Sequence, residues 1–505
     1  MASSSDQGAA LARIRGSATD GRAHNPIFRR AQLKRLHDAV AAHADELERA
    51  AVAAVKDSAV TPHDARLELC FAVRAVRELS ASPRLDVAAA HELEYAVSRG
   101  RDARGARRPV GIVVVSLPPA AHTPVYSVVS AVAAAVAGGN CVVLQIEQTI
   151  RELPAILGRM LTEALDRNTF ATAAAAEIDA AIKGRDDVTH FIMGSDAEAT
   201  PTPSPRLLVS ASHRRVVAVV ERDADLDKAA SALVTARFGF GGASPYAPDL
   251  VLVNEWVQQG FLEAVLRRTS SLIAAHAASA AGNSRLGSGG ELLRRIKAEG
   301  KAKVVTEGDF CSVVVVEQRD SFLLKGKINQ SCLNVHTVTS MDDAIDLINV
   351  HGKSLAAFVF TQSLANGKYL TQFLDADVMF VNQIPTRILV GPAHPQGYPL
   401  DPAMTTMSPD LFTVPTPVYV EPVSSAQDSL EKAVRDATPA SMATLARELA
   451  KPLKALKRPL KQVHVGFFEQ GIMTGALLVL GTFCTAAGLL GLHGYRFVAA
   501  RSRMG

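Results

Sequence analysis

The sequence is poor in cysteine and almost balanced in charge, and both features exclude classes of protein. The five cysteines of this 505-residue chain are Cys70, Cys141, Cys311, Cys332 and Cys484. Their spacing matches neither a disulfide framework nor a metal module, so no metal site is predicted. The net charge is only +4, and residues 447–505 carry nine basic and two acidic side chains. Residues 1–446, with 45 basic and 48 acidic residues, have a net charge of −3, so no nucleic-acid-binding surface is indicated.

Apolar residues are abundant. They make up 48% of the chain and charged residues 21%, a composition that excludes a disordered tail or a fibre. At roughly 150 residues per domain, the length corresponds to about three domains. The chain is therefore long enough to bury large cores without disulfides.

The longest apolar run covers residues 471–492 and reads GIMTGALLVLGTFCTAAGLLGL, without a charge. A helix of this length would measure about 33 Å, which matches the ~30 Å hydrocarbon thickness of a bilayer. A buried core helix is the alternative, but core helices seldom stay apolar on every face. We therefore predict a transmembrane helix over residues 471–492.

The charges around this run predict its orientation. Six basic residues lie between positions 447 and 461, whereas only Arg496, Arg501 and Arg503 follow the run. The positive-inside rule then places the large domain in the cytosol and the tail, residues 493–505, in the lumen. The first residues, MASSSDQGAALARIRG, contain no apolar stretch typical of a signal peptide. We expect a single-pass C-terminal anchor, with the endoplasmic reticulum as the predicted membrane.

The segment between the large domain and the anchor, residues 424–470, is basic and contains several prolines. Lysines around prolines and leucines in KPLKALKRPLKQ suit a segment that lies on anionic headgroups. An ordinary charged linker is equally compatible with the same composition, and the sequence leaves this choice open.

The large domain alternates β-branched runs with helical stretches. Residues 28–80 have the spacing of two or three amphipathic helices. A buried strand at 109–116 (PVGIVVVS), a helix at 126–137 and a second strand from Cys141 (CVVLQI) form a βαβ unit. Further strand-like runs follow at 188–193, 216–220, 250–253, 312–316 and 357–360. The pattern predicts an α/β fold with a doubly wound sheet, and an extended surface connection at 385–417.

Five segments, taken in order, resemble the aldehyde dehydrogenase superfamily. They are RPVGIVVVS, VAGGNCVVLQ, HFIMGS, ERDADLDKAASALVTARFGFGGASPYAPDLVLV and TSMDDAIDLINVHGKSLAAFVFTQ. The likeness is closest to the class 3 branch, which includes fatty aldehyde dehydrogenase with its own C-terminal membrane anchor. It implies an aldehyde dehydrogenase-like domain over residues 1–423.

The resemblance also implies an internal division of that domain. A Rossmann-like cofactor part is expected over about 20–210, an α/β catalytic part over about 211–385, and bridging strands for oligomerisation over about 386–423. NAD or NADP would be the cofactor. The expected partners are a second copy of the chain, or an active relative in a heterodimer.

The sequence departs from the family at the nucleophile. The family's cysteine lies in G-Q-x-C, and the matching stretch here, GASPYAPD at 242–249, places Pro245 at the cysteine's position. Proline has no nucleophilic atom, and it lacks the main-chain N–H that would stabilise an oxyanion. Neighbouring Ser244 is a weak substitute, because a hydroxyl needs an adjacent base. Cys332 is the other conceivable replacement, although buried cysteines mostly behave as small hydrophobes.

The family's base and oxyanion residues are also replaced. The glutamate that serves as base falls on Ala211, and the oxyanion-hole asparagine falls on His122. His213 could be imagined as a substitute base, but a histidine next to two arginines is more simply a surface residue. Histidine at position 122 could still donate a hydrogen bond, so this change alone would not abolish catalysis.

The cofactor motifs are altered as well. Gln145 takes the place of the lysine that bonds the adenosine ribose, and Lys327 that of the glutamate that holds the nicotinamide ribose. Gly194 and Ser195 would begin the helix that binds the pyrophosphate. The prolines at 201, 203 and 205 cannot continue such a helix, because each removes a donor and clashes with the preceding turn.

Nucleophile, base and cofactor helix act as a unit, and their joint loss predicts a degenerate member of the family. We expect a membrane-anchored pseudoenzyme, scaffold or binder of an apolar, lipid-like aldehyde. The sequence favours a protein without catalytic activity over an active enzyme. The alternative is an active NAD(P)-dependent oxidoreductase that converts a long-chain or secondary-metabolite aldehyde to the carboxylic acid. Hydrolysis of an activated ester through Ser244 is a weaker third possibility.

Overall fold

The structure is a computed structural model. It describes residues 4–54, 61–116, 122–146, 152–182, 187–193, 207–210, 212–279, 289–308, 311–395, 397–398, 400, 407–420, 430, 433–434, 438–453 and 467–501. The chain divides into two compact units, Met1–Glu421 and Pro422–Gly505.

Helices of the first unit alternate with its strands along most of the chain. They are α1 Ser4–Thr19, α2 Pro26–Ala42, α3 Ala44–Ala54, α4 Pro62–Ser80, α5 Val87–Glu94, α6 Pro124–Ala137, α7 Glu152–Ala164, α8 Ala175–Ile182, α9 Leu226–Phe238, α10 Gln258–Ser279, α11 Gly289–Glu299, α12 Met341–Asn349 and α13 Leu364–Phe373. Short 3₁₀ turns lie at Arg22–His24, Pro83–Leu85, Val97–Arg99, Gly239–Gly242, Glu255–Val257, Phe322–Leu324, Thr386–Leu389 and Pro409–Phe412. The expectation of two or three helices over residues 28–80 is confirmed by α2, α3 and α4.

The first large sheet is parallel and has five strands in the order β4-β3-β2-β5-β6. Its strands are β2 Ile112–Ser116, β3 Cys141–Gln145, β4 Phe170–Ala173, β5 Val188–Ile192 and β6 Leu207–Val209. Strands β2 and β3 are buried over their first four residues, which explains their continuous apolar runs. Helix α6 joins them and is buried from its second residue to its last, because it packs on the sheet and under α2 and α4. The predicted βαβ unit is confirmed.

The second large sheet has seven strands in the order β13-β12-β7-β8-β11-β10-β9. They are β7 Val216–Val220, β8 Leu250–Asn254, β9 Ala302–Thr306, β10 Ser312–Val316, β11 Cys332–Val338, β12 Ser354–Phe360 and β13 Ala376–Val381. All neighbours pair in parallel except β9, which runs antiparallel to β10 at one edge. The predicted α/β class and the strand-like runs at 216–220, 250–253, 312–316 and 357–360 are confirmed. Neither large sheet tests the functional division predicted for the domain.

A small sheet joins the segment before β2 to the C-terminal end of the first unit. Strand β1 (Arg107–Pro109) pairs antiparallel with β14 (Thr413–Pro415), and an isolated bridge links Ala103 to Val418. The Arg107 guanidinium adds a hydrogen bond to the carbonyl of Thr413, 306 residues further along the chain. Such a pairing leaves no local pattern in the sequence.

The stretch predicted as a surface connection, residues 385–417, is corrected by the structure. It is extended, but its described part runs through the interior: Ile388, Leu389, Val390 and Phe412 are at most 4% exposed. Apolar side chains in this stretch belong to two hydrophobic cores, one that contains helix α6 and one that contains strand β7. Its proline and glycine content correctly indicated irregular backbone, but the expectation that the stretch lies on the surface was wrong.

The second unit contains α14 (Pro439–Leu449) and α15 (Phe467–Arg501). Among the described residues, one helix is long and apolar enough to cross a membrane, over Glu469–Gly494, with a mean hydropathy of 1.9. Its apolar side chains, such as Leu478 and Phe483, are exposed. This helix fits the single anchor predicted over residues 471–492.

Candidate active site

The 242–249 turn, which is predicted to hold the family's nucleophile position, links α9 to β8 after the 3₁₀ turn Gly239–Gly242. Gly242 has a φ of +73°, and a Cβ there would lie 2.8–2.9 Å from backbone atoms of Gln330 and Ser331. Only glycine fits such a close approach at positive φ. The turn is therefore pressed against the backbone that precedes strand β11.

Lys327 reaches into this turn. Its Nζ donates a hydrogen bond to the Pro245 carbonyl oxygen at 2.6 Å and forms an ion pair with Asp249 Oδ2 at 3.1 Å. Pro245 is buried, and the Lys327 side chain is 8% exposed. The residue predicted at the nicotinamide-ribose position thus points at the residue predicted at the nucleophile position.

Asp249 is the centre of the hydrogen bonds around the turn, with 1% of its surface exposed. Oδ1 accepts from the backbone N–H of Ile328 at 3.0 Å and from Arg237 Nη1 at 3.2 Å. Oδ2 accepts from the Val216 backbone N–H at 2.7 Å as well as from Lys327. Two donors on each oxygen leave this carboxylate fully hydrogen-bonded.

Arg237, the second cation of the cluster, is completely buried at the end of α9. Apart from Asp249, its guanidinium donates to main-chain carbonyls, those of Pro248, Ile328 and Gln330. One carboxylate therefore faces two buried cations. Burial lowers the pKa of Lys327, the attraction of Asp249 opposes that shift, and repulsion from Arg237 adds to it.

His122 lies beside the turn rather than against Pro245. Its Nε2 lies 2.8 Å from the Leu389 carbonyl oxygen, and its ring meets the edge of Phe240 at 5.6 Å between centroids. Burial lowers the pKa of His122 to about 4; the Leu389 carbonyl opposes the shift and the charge of Lys327 adds to it. The ring is therefore neutral near pH 7. Its proton lies on Nε2, because the carbonyl can only accept. The donor proposed for an oxyanion is thus already engaged.

Ser244 is 1% exposed, and its Oγ accepts a hydrogen bond from the Tyr246 backbone N–H at 3.3 Å. Within the described part of the chain, no carboxylate or imidazole hydrogen-bonds this hydroxyl. Tyr246 is buried as well, and its hydroxyl oxygen accepts from the His394 backbone N–H at 3.1 Å. Ser244 therefore has no activating base in this arrangement, and His213, the other proposed base, is exposed on the surface.

Gln145 and Ser116 end strands β3 and β2 of the five-stranded sheet. Ser116 Oγ donates to Gln145 Oε1 at 2.8 Å, which fixes the orientation of the amide. Ala211, Gly194, Ser195 and the prolines at 201, 203 and 205 lie outside the described residues. The predictions made for them stay predictions.

The described thiols offer no replacement nucleophile near the turn. Cys332 is buried, and burial raises the pKa of its thiol to about 12, against a smaller opposing effect of Arg237. At pH 7, a thiol of that pKa is ionised in only about one molecule in 10⁵. Burial likewise raises the pKa of Cys141 to about 12 and that of Cys311 to about 11. No group of three or more metal-ligating side chains occurs in the described ranges.

The family's cofactor, NAD or NADP, does not fit the described residues at the nicotinamide end. The family resemblance places a ribose-binding carboxylate where this chain has Lys327, and that amine is engaged with Pro245 and Asp249. An amine in that place lacks the two carboxylate oxygens that would accept hydrogen bonds from the ribose hydroxyls.

Reasoning from the sequence missed Asp249, Arg237 and Glu68. Asp249 stood within the family motif A-P-D without a role, and Arg237 ends a largely apolar helix. The Glu68 carboxylate accepts from the Tyr126 backbone N–H at 2.9 Å and so caps helix α6, which begins just after His122. Burial raises the pKa of Glu68 to about 7, opposed by the N–H groups of Tyr126 and Val125. An isolated charge in an apolar stretch was the available signal for Glu68 and Arg237.

Comparison with known proteins agrees with this fold. The chain matches the sequence profile of the Aldehyde dehydrogenase family over residues 2–199 and 215–394. It is 24% identical over 392 residues to human Aldehyde dehydrogenase family 3 member B1, covering 70% of this chain and 78% of that protein. A shorter match joins it to the Gamma-glutamyl phosphate reductase of Yersinia pestis, 28% identical over 164 residues, 32% of this chain and 33% of the reductase.

Solved structures show the same fold at low identity. Staphylococcus aureus AldH in its substrate-bound state has a TM-score of 0.62 and 16% identity, over 81% of this chain and 92% of its own. An NAD-dependent benzaldehyde dehydrogenase from Corynebacterium glutamicum has a TM-score of 0.59 and 19% identity, over 83% and 90%. The glyceraldehyde-3-phosphate dehydrogenase of Methanocaldococcus jannaschii, complexed with NADP, has a TM-score of 0.57 and 16% identity, over 76% and 86%. With its fold, its ordered motifs and a family match over most of its length, the chain belongs to the aldehyde dehydrogenase family.

Proposed function

We propose that this chain is a membrane-anchored aldehyde dehydrogenase-fold protein that has lost thiol-dependent oxidation and binds an apolar aldehyde instead. The observation that carries the proposal is the 242–249 turn, in which Lys327 donates a hydrogen bond to the carbonyl of Pro245, the residue that the family resemblance aligns with the nucleophile. Proline supplies neither a nucleophile nor a main-chain N–H for an oxyanion. Oxidation of an aldehyde to the carboxylic acid through a thioester therefore lacks its nucleophilic sulfur at this turn.

Two further observations support the loss of oxidation. The amine of Lys327 is bound to the Pro245 carbonyl and to Asp249, and the thiol of Cys332 stays protonated near neutral pH. Restoring only the nucleophile, the base or the cofactor contacts would leave the other two missing, and the three contribute as a unit.

The membrane part of the proposal rests on the helix Glu469–Gly494 and on the basic residues that precede it. We propose a single pass with the large domain in the cytosol, at the endoplasmic reticulum. An anchor of this kind would keep the domain next to a bilayer in which apolar aldehydes dissolve. A homodimer, or a heterodimer with an active relative, belongs to the same proposal.

The second candidate function is an active NAD(P)-dependent oxidoreductase that oxidises a long-chain or secondary-metabolite aldehyde. Its support is the likeness to solved dehydrogenases over four-fifths of the chain. It requires a nucleophile outside the described residues or a rearranged turn.

The two candidates are separated by measurements on the full-length chain in detergent micelles. Calorimetric titration with NAD and with NADP is combined with an assay for NADH or NADPH formation in the presence of aliphatic aldehydes. We expect no reduced cofactor, and turnover in either assay would favour the oxidoreductase. The double variant Pro245→Cys with Ala211→Glu restores the family's nucleophile and base, and we expect it to remain inactive because Lys327 still occupies the turn.

A further inference from the structure

The 242–249 turn has lost a thiol, but Lys327 brings a primary amine to it. Its Nζ is 2.6 Å from the carbonyl oxygen of Pro245, the residue at the nucleophile position. The amine is thus within one hydrogen bond of the main chain from which the family's thiol would project. A nitrogen nucleophile therefore lies next to the position at which the family has a sulfur nucleophile.

The charge of the cluster favours an unprotonated amine. Asp249 is the carboxylate that contacts both Lys327 and Arg237, and all three side chains are buried. With both bases protonated, the cluster would carry an excess positive charge in an interior that solvates charge poorly. Arginine does not give up its proton in proteins, so Lys327 is the group that can relieve the excess. The lowered pKa of Lys327 agrees with this count.

The hydrogen bonds fit an unprotonated amine as well. Such an amine has two N–H groups and one lone pair, and Lys327 has two acceptors, Pro245 O and Asp249 Oδ2. Both acceptors fix the nitrogen at the turn and leave its lone pair unengaged. His122, whose pKa is influenced by Lys327, is neutral near pH 7 and adds no charge to the site.

We infer that Lys327 binds aldehydes covalently and reversibly, as an imine. This inference rests on the proposed function and names how the aldehyde is held. The amine nitrogen attacks the carbonyl carbon, an N–C bond forms, and the π pair of the carbonyl moves to oxygen. A proton passes from nitrogen to that oxygen, giving a carbinolamine; loss of water, which takes the second amine proton, leaves the C=N bond. No oxidant or reductant is consumed, so the site works without a dinucleotide.

Lysines of this kind are a known solution to carbonyl chemistry, since a desolvated amine next to another cation is a nucleophile at neutral pH. The exposed lysines are the natural comparison. Lys228 is 84% exposed and pairs with Asp225 in solvent, so its amine has neither the burial nor the adjacent arginine of Lys327. A reaction that depended on exposure alone should be faster at Lys228 than at Lys327.

The test is reductive trapping on the full-length chain in detergent micelles at pH 7. Octanal is added with cyanoborohydride, which reduces an imine to a stable secondary amine, and peptide mass mapping gives the rate at each lysine. We expect octyl transfer to Lys327 to be faster than to Lys228 by about tenfold or more, given the desolvated site. Equal or slower modification of Lys327 would overturn the inference.

Two variants make the result specific. Lys327→Arg keeps a cation and N–H donors toward Pro245 and Asp249 but cannot form an imine, so the fast phase of octyl incorporation should disappear. Lys228→Arg should remove only its own slow signal. Persistence of the fast phase in Lys327→Arg would contradict the assignment.

The failure of this inference differs from the failure of the proposed function. Absence of octyl transfer at Lys327 together with absence of NADH formation would refute the imine and leave the loss of oxidation in place. NADH or NADPH formation would refute the proposed function whatever the modification of Lys327.

Discussion

At the scale of single residues, the 242–249 turn is held by charge as much as by packing. Asp249 joins the start of strand β8 to α9 through Arg237 and to the segment before β11 through Lys327. Its backbone N–H and carbonyl bond Val216 and Asn334 in addition. One side chain thus fixes three neighbouring parts of the second large sheet.

Asp249→Asn should destabilise the first unit strongly. The substitution leaves the buried Arg237 guanidinium without its counter-charge, and removing one partner of a buried pair typically costs about 3–5 kcal/mol of unfolding free energy. Urea unfolding, followed by the fluorescence of Trp256 just after β8, measures the change. The matched control is Lys228→Ala, which breaks a solvent-exposed pair and should move the midpoint little. Equal midpoints for the two variants would contradict the role given to Asp249.

The sequence predicted a role for the position of Pro245, which stays a prediction, and it did not predict the contact of Lys327 with Pro245. Local order along the chain places Pro245 beside Asp249, and a motif shows what is missing there. The approach of residue 327 to residue 245 depends on how two distant loops meet, which one sequence does not encode in any local pattern. Partners of buried charges are for that reason the least predictable part of the site.

At the scale of elements, the 242–249 turn and helix α6 are positioned by close backbone contacts. Gly242 lies against the backbone of Gln330. Helix α6 begins at Pro124, and the backbone N–H of Tyr126 in its first turn donates to the Glu68 carboxylate. Strands such as β7 and β10 were predicted to the residue, because β-branched runs buried on both faces are hard to mistake. Helix α1, the antiparallel edge strand β9 and the β1–β14 pair were missed. Edge positions and long-range pairings carry weaker patterns.

Gly242→Ala should strain the turn and destabilise the first unit. The new Cβ would lie 2.8–2.9 Å from backbone atoms, and the residue would keep a φ of +73°, so we expect a cost of about 1–3 kcal/mol. Gly239→Ala is the control, since that residue has a φ of −61° and nothing within 4 Å of a new Cβ. Thermal unfolding of both variants measures the difference. A loss at Gly239 as large as at Gly242 would argue against the close approach.

Glu68 should make stability depend on pH in an unusual direction. Its pKa is about 7 in the folded protein against an ordinary value of 4.5, so between these pH values the folded state holds a proton that the unfolded state releases. The unfolding free energy then falls as pH rises from about 4.5 to about 7, by roughly 3 kcal/mol, and is constant above.

Glu68→Gln does not titrate and should lack this slope. Urea unfolding at pH 5 and pH 8 measures it, with the wild-type protein losing stability relative to the variant on going to pH 8. A constant difference between the two proteins would show that Glu68 does not carry the effect.

At the scale of the whole molecule, the chain combines an aldehyde dehydrogenase-family unit with a second unit that holds the apolar helix Glu469–Gly494. The sequence predicted both parts well, because a family motif series and a long uncharged run are global signals. The structure divides the chain after Glu421, and the domain limits predicted from the sequence stay predictions.

Two arginines in the middle of that helix should prevent stable insertion. Leu480→Arg combined with Phe483→Arg adds about 5–7 kcal/mol to the cost of insertion, at roughly 3 kcal/mol for each arginine. The fraction of protein that resists alkaline carbonate extraction from microsomal vesicles measures the effect. Leu449→Arg on the exposed face of α14 is the control and should remain membrane-bound. Retention of the double variant would argue against a transmembrane anchor.

The pairing of β1 with β14 has a consequence for biosynthesis. A ribosome that has translated Arg107 must add 306 more residues before Thr413 emerges to meet it. Non-local pairings of this kind form late, because the intervening chain has to be ordered first. For most of its synthesis, the nascent polypeptide would expose the unpaired edge of β1. We expect chaperones to protect it most during this interval.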